Sequence, residues 1–163
     1  MEIKLEKNDT IISKTDIDGK ITYVNDKFIE ISEYLESELI GQPHNILRHH
    51  AMPRVIFELL WKKVQAEEPI FAYVVNKTAK GNYYWVLAHV TPVVEDGIIT
   101  GYQSLRRNPN PIALDIIKPV YQQMLEVEKS GNTEGSMAIL EEILLENKTD
   151  YNGFIMSLQT KRA

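Results

Sequence analysis

Hydrophobic residues near the start of this chain fall into two short β-prone runs, Ile11-Ile12-Ser13-Lys14-Thr15-Asp16 and Lys20-Ile21-Thr22-Tyr23-Val24. Between them stands Asp18-Gly19, whose residues tolerate positive φ and give the strongest short-range signal for a hairpin. Asn25-Asp26 stops the second run and caps a short helix from Lys27 to about Glu33. From Tyr34 to Pro53 the apolar positions are interrupted by Ser37, Gly41-Gln42-Pro43 and Met52-Pro53, which predicts short helical turns. Pro53 suits the first turn of a longer helix. There Val55, Ile56, Leu59, Leu60 and Val64 recur at spacings of three and four and make one buried face. Glu67-Glu68-Pro69 ends it.

Three longer β-prone runs follow: Ile70 to Lys77, Tyr83 to Thr91 and Ile98 to Arg106. They are joined by turns at Ala79-Lys80-Gly81-Asn82 and Glu95-Asp96-Gly97, so two consecutive hairpins form an antiparallel meander. The long strands carry apolar residues on both parities, which predicts burial on parts of both faces. Strands at both ends with helices between them imply an α+β fold: one five-stranded antiparallel sheet with short helices covering one face and a pocket between the layers. After Arg107 the character changes. Asn108-Pro109-Asn110-Pro111 is a stiff linker. Ala113, Ile117, Val120, Tyr121 and Met124 then make a helical stripe, with Pro119 expected to kink it or mark a fresh start. Gly131-Asn132 breaks it, and Met137, Leu140, Ile143 and Leu144 define a second amphipathic helix. The division expected is a cap over residues 1–10, a sensor domain over 11–107, and a linker with docking or dimerising helices over 108–163.

Composition narrows the function. The 163 residues carry 18 Lys+Arg against 23 Asp+Glu, a net charge of -5. Phosphate-neutralising proteins need a basic face, and the only compact basic cluster is Arg48-His49-His50 with Arg54, so no nucleic-acid partner is expected. No apolar run is long enough to insert in a bilayer, and the first residues lack a secretory leader, which together predict a cytoplasmic address. Cysteine is absent. That removes thiolate metal sites, iron–sulfur clusters and cysteine nucleophiles. No Walker loop, nucleophile elbow or dinucleotide turn is present, and no carboxylate spacing completes a metal site, so the chain is not read as an enzyme.

Some residues stand out on chemical grounds. Phe57 and Trp61 lie four apart on the long helix, so they share a face and serve either as core or as the slot for a flat ring. Asn76 sits in a strand, where asparagine is disfavoured, and this favours a pocket role. Asn25 offers a donor and an acceptor, yet capping the short helix accounts for it equally. Arg48 suits bidentate contact with phosphate, or is an exposed basic turn.

The order of elements and three sequence blocks resemble a PAS domain, and among these the flavin-binding branch of bacterial aerotaxis receptors (Aer type). The first block is Thr15-Asp16, Ile21-Thr22 and Asn25-Asp26-Lys27-Phe28. The second runs Gly41-Gln42-Pro43-His44-Asn45-Ile46-Leu47-Arg48-His49 and on to Met52-Pro53, Phe57 and Trp61. The third is Asn76, Gly81, Tyr84-Trp85-Val86, Pro92, Gly97, Gly101-Tyr102 and Ser104-Leu105-Arg106. Pro119-Val120-Tyr121 resembles the segment that follows the PAS core, so the likeness spans about residues 13 to 125. It implies non-covalent FAD, with Trp61 lining the ring and Arg48 and His49 at the phosphates or the ring edge. Asn25, His44, Asn45, Phe57 and Asn76 complete the pocket. Gln103 resembles the last-strand glutamine that responds to flavin state in light-sensing PAS domains, although without cysteine no flavin–cysteine adduct forms here. One departure stands out: His50-Ala51 replaces the family's Pro-Asp, and Ala51 lacks the acidic side chain linked to cofactor retention.

The sequence contains neither the membrane anchor nor the signalling coiled coil of an Aer receptor. It resembles instead the stand-alone PAS partner of a two-protein energy-taxis receptor (CetB type). The resemblance thus implies a flavin-dependent redox or oxygen sensor. Its C-terminal helices would signal to a membrane chemoreceptor or pair two copies, with any contact with the inner membrane made through that receptor. Three alternatives remain open at this point. One is a haem gas sensor ligated by His44, His49, His50 or His89. The others are a cofactor-free interaction module and a small flavin reductase, which would need a nicotinamide site that no motif identifies.

Overall fold

In the computed structural model, which describes residues 1–163, the first hairpin forms where Asp18-Gly19 predicts it. Strand β1 (Thr10–Asp16) pairs antiparallel with β2 (Ile21–Val24). Gly19 takes φ +82°, and Asp16 Oδ1 accepts the amide N–H groups of Asp18 and Lys20, each at 2.9 Å. Helix α1 (Asp26–Ser32) follows at once, one residue earlier than expected, and ends on Glu33 in the left-handed region at φ 62°. The Glu33 carboxylate accepts the Thr78 hydroxyl and both bonds from Asn82 Nδ2, which fastens the helix end to a β-turn.

The punctuated stretch resolves into short pieces, as its glycine and prolines require: helix α2 (Glu36–Leu39) and a single 3-10 turn, His44–Leu47. Helix α3 (Arg54–Gln65) then buries Val55, Ile56 and Val64. Strands β3 (Ile70–Lys77), β4 (Tyr83–Glu95) and β5 (Ile98–Arg107) complete a sheet of order β2-β1-β5-β4-β3, antiparallel throughout. β4 runs past its expected end and includes Pro92. β3 is paired with it only as far as Ile70 against Val90, so Pro92 lies where one side of β4 has no neighbour and its missing N–H breaks no ladder there.

The largest difference from expectation lies after Arg107. Helix α4 (Pro111–Glu128) is continuous through Pro119, which is exposed, so the freed carbonyl one turn back meets water. Helix α5 (Glu134–Glu146) is followed by helix α6 (Tyr151–Gln159), which the sequence reading missed. The stripe expected to serve docking faces inward: Ala113, Ile117, Tyr121 and Met124 are buried within the chain itself. Tyr121 donates its hydroxyl to the Tyr73 carbonyl at 2.6 Å, and its ring lies 6.0 Å from that of Trp85. The α6 side adds a hydrogen bond from Tyr73 to Gln159 Oε1 at 2.9 Å, and Asn152 Oδ1 accepts the edge N–H of Phe71 at 3.0 Å. The sheet is therefore covered on both faces, α1–α3 on the inner and α4 with α6 on the outer, which explains the apolar residues on both parities. Asn110 binds the layer together. Its Oδ1 caps α4 while Nδ2 donates to carbonyls at the end of α6.

Candidate functional site

Between the inner face and α3 lies a cavity of about 320 Å³. Its roof is one face of α3, where Phe57, Leu60, Trp61 and Val64 fall together by helical spacing. One wall is the 3-10 turn, through His44, Asn45 and Arg48, and the mouth lies beside Asp18 and Gly19. The floor is the sheet. Strand alternation points Ser13 from β1, Asn76 from β3 and Ser104 and Arg106 from β5 to the same side, with Ser13 directly opposite Ser104.

This floor is polar, buried and incompletely satisfied. Arg106 Nη2 donates to Ser13 Oγ at 3.0 Å and to His44 Nε2 at 2.6 Å, and its guanidinium lies 5.5 Å over the Phe28 ring. As an acceptor at Nε2, His44 carries its hydrogen on Nδ1 and stays neutral. Burial, with Arg106 beside it, holds its pKa down at about 3. Burial likewise pulls Arg106 down to about 10. Three buried polar atoms of the lining have no partner: Asn76 Nδ2, Ser104 Oγ and Arg106 Nη1. Tyr84, behind them, has an unpartnered hydroxyl whose pKa burial raises. Native interiors rarely leave such groups unpaired. A planar guest with acceptor atoms along its inner edge would satisfy all three.

Seven of the nine residues expected at the site border the cavity: His44, Asn45, Arg48, Phe57, Trp61, Asn76 and Gln103. Gln103 does so from the wrong parity. It pairs with Lys14 while Tyr102, Ser104 and Arg106 face inward, so its side chain alternates to the outer face. Asn25 lies elsewhere, because its Oδ1 caps α1 at Phe28 and holds the Ile12 amide while Nδ2 donates to the Thr10 carbonyl. His49 also turns away. Its Nδ1 accepts the Ala51 amide, and its ring stacks on His50 at 4.2 Å. His50 is exposed and brings no group to the cavity in place of the missing acid. Arg106 and Ser104 were missed as site residues; their signal was the alternation Tyr102, Ser104, Arg106 along one strand.

Two residues govern the mouth. Trp61 is 39% exposed, edge-on to Tyr102 at 5.2 Å, with its indole tip over Gly19. Arg48 is exposed, its guanidinium 4.7 Å above the Phe57 ring. Of the four histidines only His44 borders the cavity, and Arg106 already holds its Nε2; His89 stacks on Phe71 at 4.2 Å on the outer face.

The model of the PAS fold matches residues 5–105. The chain belongs to the PAS family. It is 37% identical over 120 residues to the Aerotaxis receptor of Escherichia coli, an alignment covering 74% of this chain and 24% of the receptor. Phototropin-2 of rice (Oryza sativa subsp. japonica) is 24% identical over 90 residues, 55% of this chain and 10% of the relative. The chain thus spans a quarter or less of the lengths of these relatives. Among solved structures, the LOV domain of a blue-light activated histidine kinase from Erythrobacter litoralis superimposes with TM-score 0.56 at 20% identity, covering 60% of this chain and 94% of that domain. The first of these relatives is a receptor by name, and no helix of this PAS protein is long and apolar enough to cross a membrane.

Proposed function

We propose that this PAS protein is a flavin-binding sensor of redox state or oxygen that reports to a chemoreceptor, its cofactor FAD held non-covalently in the cavity. One observation carries the reading: unpartnered donors line a ring-sized cavity in a chain 37% identical to an aerotaxis receptor over most of its length. The resemblance seen in the sequence supplies the flavin, and the donor set fits it. Asn76, Ser104 and Arg106 would meet its acceptor edge, Phe57 and Trp61 would cover the ring, and Arg48 would meet the phosphates. Bound there, a flavin supplies a group that takes up and returns electrons reversibly.

The chain's own residues provide the route outward. The carboxylate of Glu128, at the end of α4, accepts the amide N–H groups of Arg54 at 2.7 Å and Val55 at 3.2 Å. These are orphan amides at the start of α3, where Pro53 offers no side-chain cap. The helix that roofs the cavity is thus held by the helix that begins the C-terminal layer, and a shift of one biases the other. A membrane chemoreceptor partner would read that layer from its exposed side.

The test is the absorption spectrum of the full chain after purification and incubation with FAD. A flavin band near about 450 nm supports the reading, and a Soret band would replace it with haem. A colourless protein after incubation with excess FAD overturns it, and rapid NAD(P)H turnover would make the protein a reductase. Trp61→Ala and Arg48→Ala should each lower FAD occupancy several-fold; unchanged occupancy in both variants overturns the site.

A further inference from the structure

The two edges of the sheet are closed in different ways. At β2 the backbone of the loop after α2 does it: the Gln42 carbonyl accepts the Ile21 N–H at 2.9 Å, and Gly41 N–H donates to the Ile21 carbonyl at 2.8 Å. At β3, the opposite edge, side chains do it. Residues Ile70 to Val75 of that strand are uncharged and contain neither proline nor glycine, and an edge of this kind pairs with another strand unless something covers it. Asn152 of α6 accepts the Phe71 N–H through Oδ1 and donates to the Pro69 carbonyl through Nδ2, each at 3.0 Å. One carboxamide thus makes both bonds that a residue of a parallel strand beside Ile70 would make. The Tyr121 hydroxyl donates to the Tyr73 carbonyl, Met52 Sδ accepts the Val75 N–H at 3.4 Å, and the backbone of Arg48 bridges Asn76.

We propose that β3 is a pairing edge for β3 of a second copy of this chain, and that the first turn of α6, through Asn152, is the guard that keeps it closed. Charge selects the occupant. Glu67-Glu68 precede the strand and Lys77 and Lys80 follow it, all four exposed. Among them only Glu68 is in an ion pair, with Lys63 at 3.0 Å. Antiparallel pairing of two copies lays the acidic end of each strand against the basic end of the other, whereas parallel pairing sets like charge on like. Each copy has one such edge, so pairing uses both and stops at a two-fold dimer. The guard is local. Asp150 Oδ1 caps the turn at the Gly153 N–H at 2.8 Å, so loosening that turn frees Pro69 and Phe71 while Phe154, Ile155 and Leu158 stay buried. A partner that draws the turn away from the sheet would convert monomer to dimer, with or without a cofactor in the cavity.

The experiment uses the full chain without flavin, in sedimentation from about 1 to about 200 µM, with hydrogen exchange at the Phe71 amide followed by NMR. The wild type should be a monomer with a protected Phe71 amide. Asp150→Ala/Asn152→Ala should dimerise with a Kd at least about tenfold below that of the wild type, and its Phe71 amide should exchange fast when dilute and slowly when concentrated. Adding Phe71→Pro removes an N–H that β4 does not use, and should return the variant to monomer. Adding Glu67→Lys instead should weaken the dimer, and Lys77→Glu on top of it should restore pairing. A wild type that pairs as tightly as the variant overturns the guard. A dimer that survives Phe71→Pro, or assemblies that grow beyond two chains, overturn the edge. A monomeric variant with an unprotected Phe71 amide leaves the edge to another protein's strand and overturns the second copy as occupant. Should the double variant fail to fold, Asn152→Ala alone decides by the same measurements.

Discussion

The two faces of one sheet are finished differently. On the outer face, beneath α4 and α6, the polar groups of Tyr73, Tyr121, Asn110 and Asn152 all find partners within the chain, among buried Ile117, Phe154, Ile155 and Leu158. On the inner face a guanidinium, an amide and a hydroxyl stand unpaired around open volume. The same pleat, with the same period of two, thus carries one surface that its own sequence all but completes, with the Tyr151 hydroxyl alone left unpaired beneath α6, and another with three unpaired groups around open volume. Unpaired buried polar atoms thus concentrate on the face that borders open volume.

The contrast breaks most visibly if the outer layer is damaged. Phe154→Ala should cost about 3–5 kcal/mol of unfolding free energy in urea, the usual cost of emptying a buried aromatic site. Glu128→Ala should cost about 2 kcal/mol, since it removes a buried charged cap from two amides of α3. It should also weaken FAD uptake, whereas an equally destabilising change on α5, remote from the cavity, should not. The third expectation concerns pH. The native pKa of His44 lies near 3 and its unfolded value near 6.5, so the unfolded chain binds the proton first. Stability is full above about pH 6.5 and declines as pH falls toward 3, at a slope approaching about 1.4 kcal/mol per pH unit from this group. His44→Gln should flatten that part of the profile. The smallest effect belongs to Arg106→Met in flavin-free protein. Removing an unbalanced buried cation, with Ser13 and His44 left 3.1 Å apart to bond each other, should change stability by less than about 1 kcal/mol. A loss as large as that of Phe154→Ala would mean the inner face is structural after all.

The hairpin, the meander and α3 were legible because each is written in local terms: Asp-Gly between β-prone runs, aromatic and branched strands, and apolar spacings of three and four. The roof residues Phe57 and Trp61 followed from the same spacing. The floor was harder. Gln103 was chosen for its likeness to the last-strand glutamine of light-sensing PAS domains, but the face it occupies depends on register with β1, and that register turns Ser104 and Arg106 inward instead. Asn25 had two uses in sequence, and its capping bonds consume it. Helix α6 was missed although Asp150 caps it and Tyr151, Phe154, Ile155 and Leu158 mark its stripe; Gly153 within the helix masked the pattern. The C-terminal stripes were recognised as apolar, but an apolar face does not say what covers it, and here the α4 stripe is covered by the chain's own sheet and the α5 stripe by α4 and α6.

The bond from Glu128 to the first turn of α3 joins residues more than 70 positions apart, and only one of its ends lies inside the stretch 5–105 that defines the family. The stretch that matches the family model is therefore smaller than the segment that folds as one body here. Transplanting 5–105 alone into another protein would bare Tyr73 and Trp85 and leave a helix start uncapped, so a chimera of this sensor needs its junction beyond α6.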